Sequence, residues 1–169
     1  MRVARVAMLS ALGIVGRIGL TALPNVQPVT ALLILCAVFW SLPEALLADL
    51  VIVIVTNLFM GWGIWWIWQL ISWAAIAVAS RLVFRPTGLY QKDKLIKIIL
   101  PVWGFLMGFG FGAAVSIFSY KTLTFGQSRG YIAYWIGGLP LDLFHAAGNA
   151  VFCLALLPVM KRTAKKING

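Results

Sequence analysis

The sequence predicts an all-α membrane protein, a bundle of six transmembrane helices with both termini in the cytoplasm. Three observations lead to this fold class. Hydrophobic residues make up 62% of the chain, whereas soluble domains are roughly 45–50% apolar. Six apolar segments follow one another between short polar connections, and Lys and Arg concentrate in alternate connections. The length of 169 residues suits a single domain, 1–169.

The apolar segments define the predicted helices, at residues 4–22, 28–41, 44–60, 65–84, 96–118 and 131–160. Helix 2 holds about 14 residues, fewer than the roughly 20 that a straight span needs. We therefore expect either a tilted helix with its ends buried in protein or a partial span. Pro43 suits the first turn of helix 3, where a missing N–H leaves no hydrogen bond unmade. Gly137, Gly138 and Pro140 predict a kink or a late start in helix 6.

The distribution of basic residues sets the predicted orientation, because cytoplasmic segments carry an excess of Lys and Arg. The cations on the predicted inner side are Arg2, Arg5, Arg81, Arg85, Lys92, Lys94, Lys97, Lys161, Arg162, Lys165 and Lys166. The outer loops hold Lys121 and Arg129, and Arg17 lies inside helix 1. The net charge of +10 is thus a topology signal, and no nucleic-acid partner is predicted.

Several classes of protein are excluded at this level. Cys36 and Cys153 lie in apolar helices, which argues against a disulfide framework. The basic and then apolar start is interpreted as the first span and not as a cleaved signal peptide. The sequence contains no phosphate-binding loop, zinc-protease motif or nucleophile motif, so no enzyme is predicted. A single His without Cys or Glu partners is a poor metal signature, and we predict no metal site or cofactor.

The stretch 7–30, AMLSALGIVGRIGLTALPNVQPVT, combines two features that a lipid-facing helix rarely carries. An arginine at membrane depth, such as Arg17, raises the free energy of membrane insertion by roughly 2.5–3.5 kcal/mol on insertion scales, so it requires polar groups beside it. Ala7 and Ala11 are four residues apart, and small residues at this spacing let another helix approach closely in lipid. Helix 1 is therefore predicted to offer a docking face on its inner half and a polar group near its outer end.

Tryptophans cluster at the predicted outer face, in the segment 57–69, NLFMGWGIWWIWQ. Trp62, Trp65 and Trp66 lie close together, with Gln69 beside them. One interpretation is an interfacial aromatic belt, where Trp is enriched. The other is a small-molecule pocket, which needs aromatic walls and a few polar groups. Both interpretations stay open for different tryptophans.

The outer part of helix 6 carries Asp142, His145 and Asn149 at positions i, i+3 and i+7, which share one helical face. Contact of these polar side chains with lipid would be unfavourable, so the face that carries them is predicted to point into the bundle. Two interpretations stay open. The three side chains brace the bundle through interhelical contacts, among them an ion pair between Asp142 and Arg17. Alternatively, at least one of them touches a ligand.

Three sequence features together resemble one transporter family. They are the Ala-xxx-Ala pair in helix 1, the first loop Pro-Asn-Val-Gln-Pro-Val-Thr, and the helix 6 segment Asp-Leu-Phe-His-Ala-Ala-Gly-Asn-Ala. With six helices and both ends inside, the chain resembles the substrate-binding S component of an energy-coupling factor (ECF) vitamin transporter. Within that family the chain is most similar to the group associated with cobalamin transport.

The resemblance implies a multi-pass protein of a prokaryotic cell membrane that binds a vitamin tightly from outside. It implies docking through Ala7 and Ala11 on a transmembrane coupling subunit, which is driven by two cytosolic ATPases. The vitamin that the resemblance to this group implies is cobalamin, as a transported ligand and not a cofactor.

The implied binding site is built from the outer loops and the outer halves of helices 4 to 6. Its predicted residues are Trp62, Trp65, Trp66, Gln69, Tyr131, Tyr134 and Trp135, with Asn25 and Gln27 of the first loop as a lid. His145 and Asn149 are further candidates for ligand contact, and Arg17 and Asp142 are predicted as structural polar residues.

Three alternatives compete with a cobalamin S component. The vitamin could differ, with queuine or pantothenate in its place. The chain could be an autonomous secondary carrier, for which Asp142 is the candidate ion-coupling residue at mid-membrane. It could also be a membrane scaffold that binds no small molecule.

Overall fold

The computed structural model describes residues 2–63, 65–123 and 130–168. In these ranges the chain forms six α-helices and no strand. The helices are α1 (Arg2–Gly19), α2 (Val29–Phe39), α3 (Leu42–Met60), α4 (Trp65–Phe84), α5 (Asp93–Leu123) and α6 (Tyr131–Asn168), with a short 3-10 turn at Leu89–Gln91. The all-helical class is confirmed. Arg129 of the predicted outer loop lies outside the described residues.

Four of these helices, α3 to α6, are long and apolar enough to cross a membrane. α1 has 18 residues, among them three arginines, and α2 has only 11. The helix boundaries differ from those predicted, chiefly because α5 and α6 extend further at the ends that carry the charges. α6 begins at Tyr131 and continues through Pro140 and Pro158, so the alternative of a late start is wrong.

The short helix α2 occupies the centre of the bundle. All eleven of its residues are buried, and it contacts each of the other five helices. At 1.5 Å per residue it is about 16 Å long, roughly half the hydrocarbon thickness of a bilayer. Because protein surrounds α2 on all sides, its length need not match the membrane. Of the two alternatives for this short helix, the structure shows the buried ends that the first one requires.

The carbonyls at the C-terminal end of α2 and just after it have cationic partners from the C-terminal end of α4 and the residue that follows it. Arg81 donates from Nη1 to the Ala37 carbonyl at 2.9 Å, and Arg85 donates from Nη2 to the Trp40 carbonyl at 3.3 Å. Cations at a helix C-terminus satisfy unpaired carbonyls and complement the helix dipole. The same arginines therefore complete a buried helix end and contribute to the charge of this side of the molecule.

One end of the bundle collects the basic residues. Three side-chain contacts tie the helix ends together there: Arg5 with Glu44, Trp40 with Thr163, and Lys161 with Asp93. The starts of α1, α3 and α5 therefore meet the ends of α2, α4 and α6. We call this the basic end, because it carries the Lys and Arg residues of 2–5, 81–97 and 161–166.

The connector between α4 and α5 is held by hydrogen bonds at the basic end. The Tyr90 hydroxyl accepts from Gln91 Nε2 at 2.7 Å and from Arg85 Nη1 at 3.0 Å. These two bonds stabilise the phenolate and lower the pKa of Tyr90 below its ordinary value.

α1 and α3 run parallel with a constant register of 39 residues. Arg5 pairs with Glu44 and Arg17 with Thr56, both 39 positions apart. The same offset brings Ser10 level with Asp49, and both are almost fully buried. The Ser10 hydroxyl and the Asp49 carboxylate have no hydrogen-bond partner among the described residues. The seam between α1 and α3 is thus polar at its two ends and in its middle.

α5 and α6 pack closely because α5 presents glycines at four-residue spacing. A Cβ on Gly104 would lie 2.7 Å from Cys153 Sγ, and a Cβ on Gly108 would lie 2.6 Å from Ala146 Cα. Gly112 faces Asp142 in the same way, with no room for a Cβ. This small-residue stripe, typical of close helix pairs in membranes, fixes the inner face of α6.

We predict that Gly108→Ala lowers stability by roughly 1–3 kcal/mol, since the added methyl would overpack a backbone contact. Gly110→Ala is the matched control on the same helix, because nothing lies within 4 Å of its Cβ position. Thermal unfolding of both variants in detergent measures the difference. Equal midpoints for the two variants would contradict the close packing of α5 and α6.

Candidate functional site

A cavity of about 680 Å³ opens at the end of the bundle opposite the basic end. Five helices and the first loop contribute to its walls. These walls combine polar side chains, aromatic rings and glycines without a side chain. The lining residues are Arg17, Leu20, Thr21, Leu23, Asn25, Val26, Gln27, Met60, Gln69, Phe111, Gly112, Val115, Ser116, Tyr134, Gly137, Gly138, Leu141 and Asp142. Its volume lies within the range of about 300–1,000 Å³ that is typical of small-molecule sites.

The Arg17 guanidinium forms the polar floor of this cavity. Nη1 donates to Thr56 Oγ1 at 2.8 Å, and Nη2 donates to Gln69 Oε1 at 3.0 Å. The same guanidinium lies 5.1 Å from the ring centroid of Trp73, within cation–π range. The cation is therefore satisfied by neutral groups of α3 and α4, and its charge has no carboxylate hydrogen-bonded to it.

The predicted ion pair between Asp142 and Arg17 is not formed. The ion pairs in the described part of the chain are Arg5–Glu44 and Lys161–Asp93. Arg17 points towards α3 and α4, whereas the Asp142 carboxylate lies against Gly112 of α5. The two residues have compatible depths in the bundle, but they face different neighbours across the cavity.

A chain of hydrogen bonds below the cavity fixes the tautomer of His145. Trp73 Nε1 donates to Thr30 Oγ1 at 2.9 Å, and Thr30 Oγ1 lies 3.1 Å from His145 Nε2. His145 Nδ1 lies 3.0 Å from the Asn25 carbonyl oxygen, which can only accept. Nδ1 therefore carries the hydrogen, and Nε2 accepts from the Thr30 hydroxyl. With a neutral imidazole, every donor and acceptor in this series of hydrogen bonds has a partner.

This network holds the first loop, residues 20–28, against α6. Asn25 adopts a positive φ of 56°, and its Nδ2 donates to the Leu141 carbonyl at 3.0 Å. Val26 packs on Gly148, where an added Cβ would lie 3.2 Å from Val26 Cγ1. The bond from His145 to the Asn25 carbonyl completes the attachment. One wall of the cavity is thus a loop fixed by backbone and side-chain contacts.

The structure brings four of the predicted binding residues to the cavity: Asn25, Gln27, Gln69 and Tyr134. Arg17 and Asp142, predicted as structural polar residues, line the cavity as well.

His145 and Asn149, the further polar candidates from α6, are fully buried below the cavity. Both polar atoms of the Asn149 amide have no hydrogen-bond partner in the described ranges, and its Nδ2 would lie 3.0 Å from a Cβ on Gly108.

The other predicted aromatic residues lie apart from the cavity walls. Trp62 and Trp65 are almost half exposed, and Trp66 packs edge-on against Trp62 at 5.7 Å. Tyr131 contacts the Tyr120 ring at 5.5 Å. Trp135, from the same helix, does not line the cavity either. The exposed tryptophans match the aromatic-belt interpretation of this segment better than the pocket interpretation.

Sequence reasoning named no residue of α5 for the site, although the resemblance implied a wall from the outer half of helix 5. Phe111, Val115 and Ser116 line the cavity, and Phe111 stacks on Trp73 with ring centroids 4.7 Å apart. The available signal was the four-residue spacing of Gly104, Gly108 and Gly112. That spacing marks the face of α5 that approaches α6, and Phe111 lies beside it.

In the ranges that the structure describes, no group of three or more His, Cys, Asp or Glu residues could hold a metal ion. Comparisons with protein-family models, curated proteins and solved structures found no match to this chain.

We predict that Thr30→Val lowers the free energy of unfolding by roughly 1–3 kcal/mol, because buried Trp73 Nε1 and His145 Nε2 each lose their partner. Denaturant or thermal unfolding in detergent measures the loss. Thr87→Val is the control, since Thr87 is exposed in the connector. Because the chain has a single His, ¹⁵N NMR of labelled imidazole also reports the tautomer directly. A hydrogen on Nε2 in the parent protein would contradict the network.

Proposed function

We propose that the chain is the substrate-binding S component of an ECF-type vitamin importer, with cobalamin as the first ligand to test. The observation that carries the proposal is the cavity opposite the basic end, with amide side chains from the first loop and α4 in its walls. Small-molecule sites combine apolar walls with a few well-placed polar groups, as this cavity does. The first-loop and helix 6 sequences that resemble the family provide two of these walls.

In this proposal the bundle lies in the bilayer as six transmembrane segments, of which α2 is a short, enclosed one. The basic end faces the cytoplasm with both termini. The support is the excess of Lys and Arg at that end, since cytoplasmic segments of membrane proteins carry such an excess. The cavity then opens to the outside, where a vitamin arrives. α2 needs no full-length span because protein encloses it.

Cobalamin fits the chemistry of the walls. Its corrin ring carries several primary amides, and Asn25, Gln27 and Gln69 can each donate to or accept from an amide. A corrinoid is larger than a drug-sized molecule, so a cavity of about 680 Å³ would hold only part of its ring system. Smaller vitamins such as pantothenate, and the base queuine, would enter whole and therefore belong in the same test.

The docking role of α1 is supported by the exposure of its small residues. Ala7 and Ala11 are exposed, whereas Leu9, Ser10 and Gly13 face the bundle. An exposed face with small side chains lets a partner helix approach closely in lipid. We propose that a transmembrane coupling subunit packs on this face and connects the chain to two cytosolic ATPases.

The binding test is calorimetry on the purified chain with cobalamin, queuine and pantothenate. We expect nanomolar affinity for one of them, and a ligand at 100 times its Kd would add about 2.7 kcal/mol of stability. Absence of binding for all of them would remove the S-component proposal in favour of a scaffold.

We expect Ala7→Trp and Ala11→Trp to abolish vitamin uptake in cells that contain the coupling subunit and ATPases, while leaving vitamin binding unchanged. The large side chain would block close helix approach, but it points away from the cavity. Leu154→Trp, at an exposed site on α6, is the matched control and should leave both properties intact. Loss of binding in the Ala7 or Ala11 variants would argue against a pure docking role.

A secondary carrier is the second candidate, because Asp142 lies in the cavity wall and forms no ion pair with a basic residue of the described ranges. Ion-coupled carriers place such carboxylates near their substrate sites. Liposomes that contain the purified chain alone separate the two proposals. Ion-gradient-driven vitamin uptake would support the carrier, whereas uptake only after addition of the coupling subunit and ATPases would support the S component.

A further inference from the structure

The geometry assigns Asp142 a direct role in ligand selection: the ligand presents an N–H donor, from a primary amide or a nitrogen heterocycle, to this carboxylate. This inference rests on the proposed function and names the chemical class that the same cavity selects. It changes the role of Asp142 from a structural polar residue to a specificity-determining contact.

The first observation is that one carboxylate oxygen of Asp142 lacks a hydrogen-bond partner in the part of the chain that the structure describes. Asp142 lines the cavity with only 5% of its surface exposed. Its Oδ2 has no hydrogen-bond partner among the described residues. Arg17, which lines the same cavity, already donates to Thr56 and Gln69.

The second observation is that the carboxylate is held in place. Gly112 has no room for a Cβ because the Asp142 carboxylate occupies that space. On the other side, Asn25 of the first loop is bonded to the carbonyl of the preceding residue, Leu141. The carboxylate therefore packs against the bare backbone of Gly112, and the adjoining backbone of α6 is tied to the first loop.

The third observation is the open surface beside this carboxylate. Gly137 and Gly138 lie about one turn before Asp142 on α6, and no atom of the described residues lies within 4 Å of their Cβ positions. Both line the cavity. A flat group can therefore lie against bare helix backbone while its edge reaches the carboxylate.

These observations fix the kind of group that the ligand must offer. More than about 90% of buried polar groups in proteins have a hydrogen-bond partner, because an unpaired one costs free energy. Within the described chain no donor reaches Oδ2, which is itself covered by protein. Asp142 lines the cavity, so a ligand bound there is positioned to offer a donor to this carboxylate. A carboxylate oxygen accepts and does not donate, so the ligand supplies the N–H. A ligand carboxylate at this point would meet like charge and be rejected.

The test uses cyanocobalamin and its isomeric monocarboxylic acids, each of which has one peripheral amide hydrolysed to an acid. Binding is measured by calorimetry for the parent chain and for Asp142→Asn, which keeps the size of the side chain. Asp93→Asn, at the exposed basic end, is the matched control. Thermal unfolding shows that each variant is folded.

We expect Asp142→Asn to weaken cyanocobalamin binding by about 10- to 100-fold, the range of a lost charged hydrogen bond. One acid isomer should bind the parent chain far more weakly than cyanocobalamin, and Asp142→Asn should remove most of that difference. Asp93→Asn should change neither affinity.

Two results separate this inference from the proposed function. If the parent chain binds cyanocobalamin tightly and Asp142→Asn binds it equally well, the role of Asp142 is overturned and the S-component proposal stands. Tight binding of pantothenate with no loss in Asp142→Asn would have the same meaning. If the parent chain binds none of the corrinoids, queuine or pantothenate, the proposed function fails and this inference fails with it.

Discussion

The guanidinium of Arg17 imposes the constraint on which the outer half of the bundle depends. A cation in an apolar bundle is tolerated only where neighbouring groups accept its hydrogen bonds. Thr56 of α3 and Gln69 of α4 do so, and the Trp73 ring lies beside the charge. Three helices are thereby fixed around one charge, and the cavity forms directly above it.

From that floor, a second set of contacts organises the opposite wall. Trp73, Thr30 and His145 carry a continuous line of hydrogen bonds from α4 through α2 to α6, and it ends on the backbone of the first loop at Asn25. The buried helix α2 thus links the charged floor to the loop. Glycines on α5 then let α6 approach closely enough to complete the cavity.

The sequence predicted the fold class well because helix formation and burial in this chain follow from hydropathy, which is a local property. The short length of α2 was predicted for the same reason, with a helix whose ends are buried and a partial span left as alternatives. Which side chains face one another across the bundle depends on how separate helices pack, and this is not a local property. The predictions of such contacts failed. Arg17 and Asp142 have compatible depths along their helices, yet rotation of each helix about its axis directs them to different partners. The role of the tryptophan cluster was ambiguous in the sequence, because interfacial aromatic belts and small-molecule pockets use the same side chains.

The central claim is that the cavity faces the outside of the cell and binds a vitamin. Labelling of Ser116→Cys by a membrane-impermeant maleimide in intact cells tests it directly, since Ser116 lines the cavity and the native Cys36 and Cys153 are buried. Thr87→Cys in the connector at the basic end is the reference. The account predicts labelling of Ser116→Cys in intact cells, protection by cobalamin, and labelling of Thr87→Cys only after lysis. The reverse pattern, or labelling that no vitamin reduces, would contradict it.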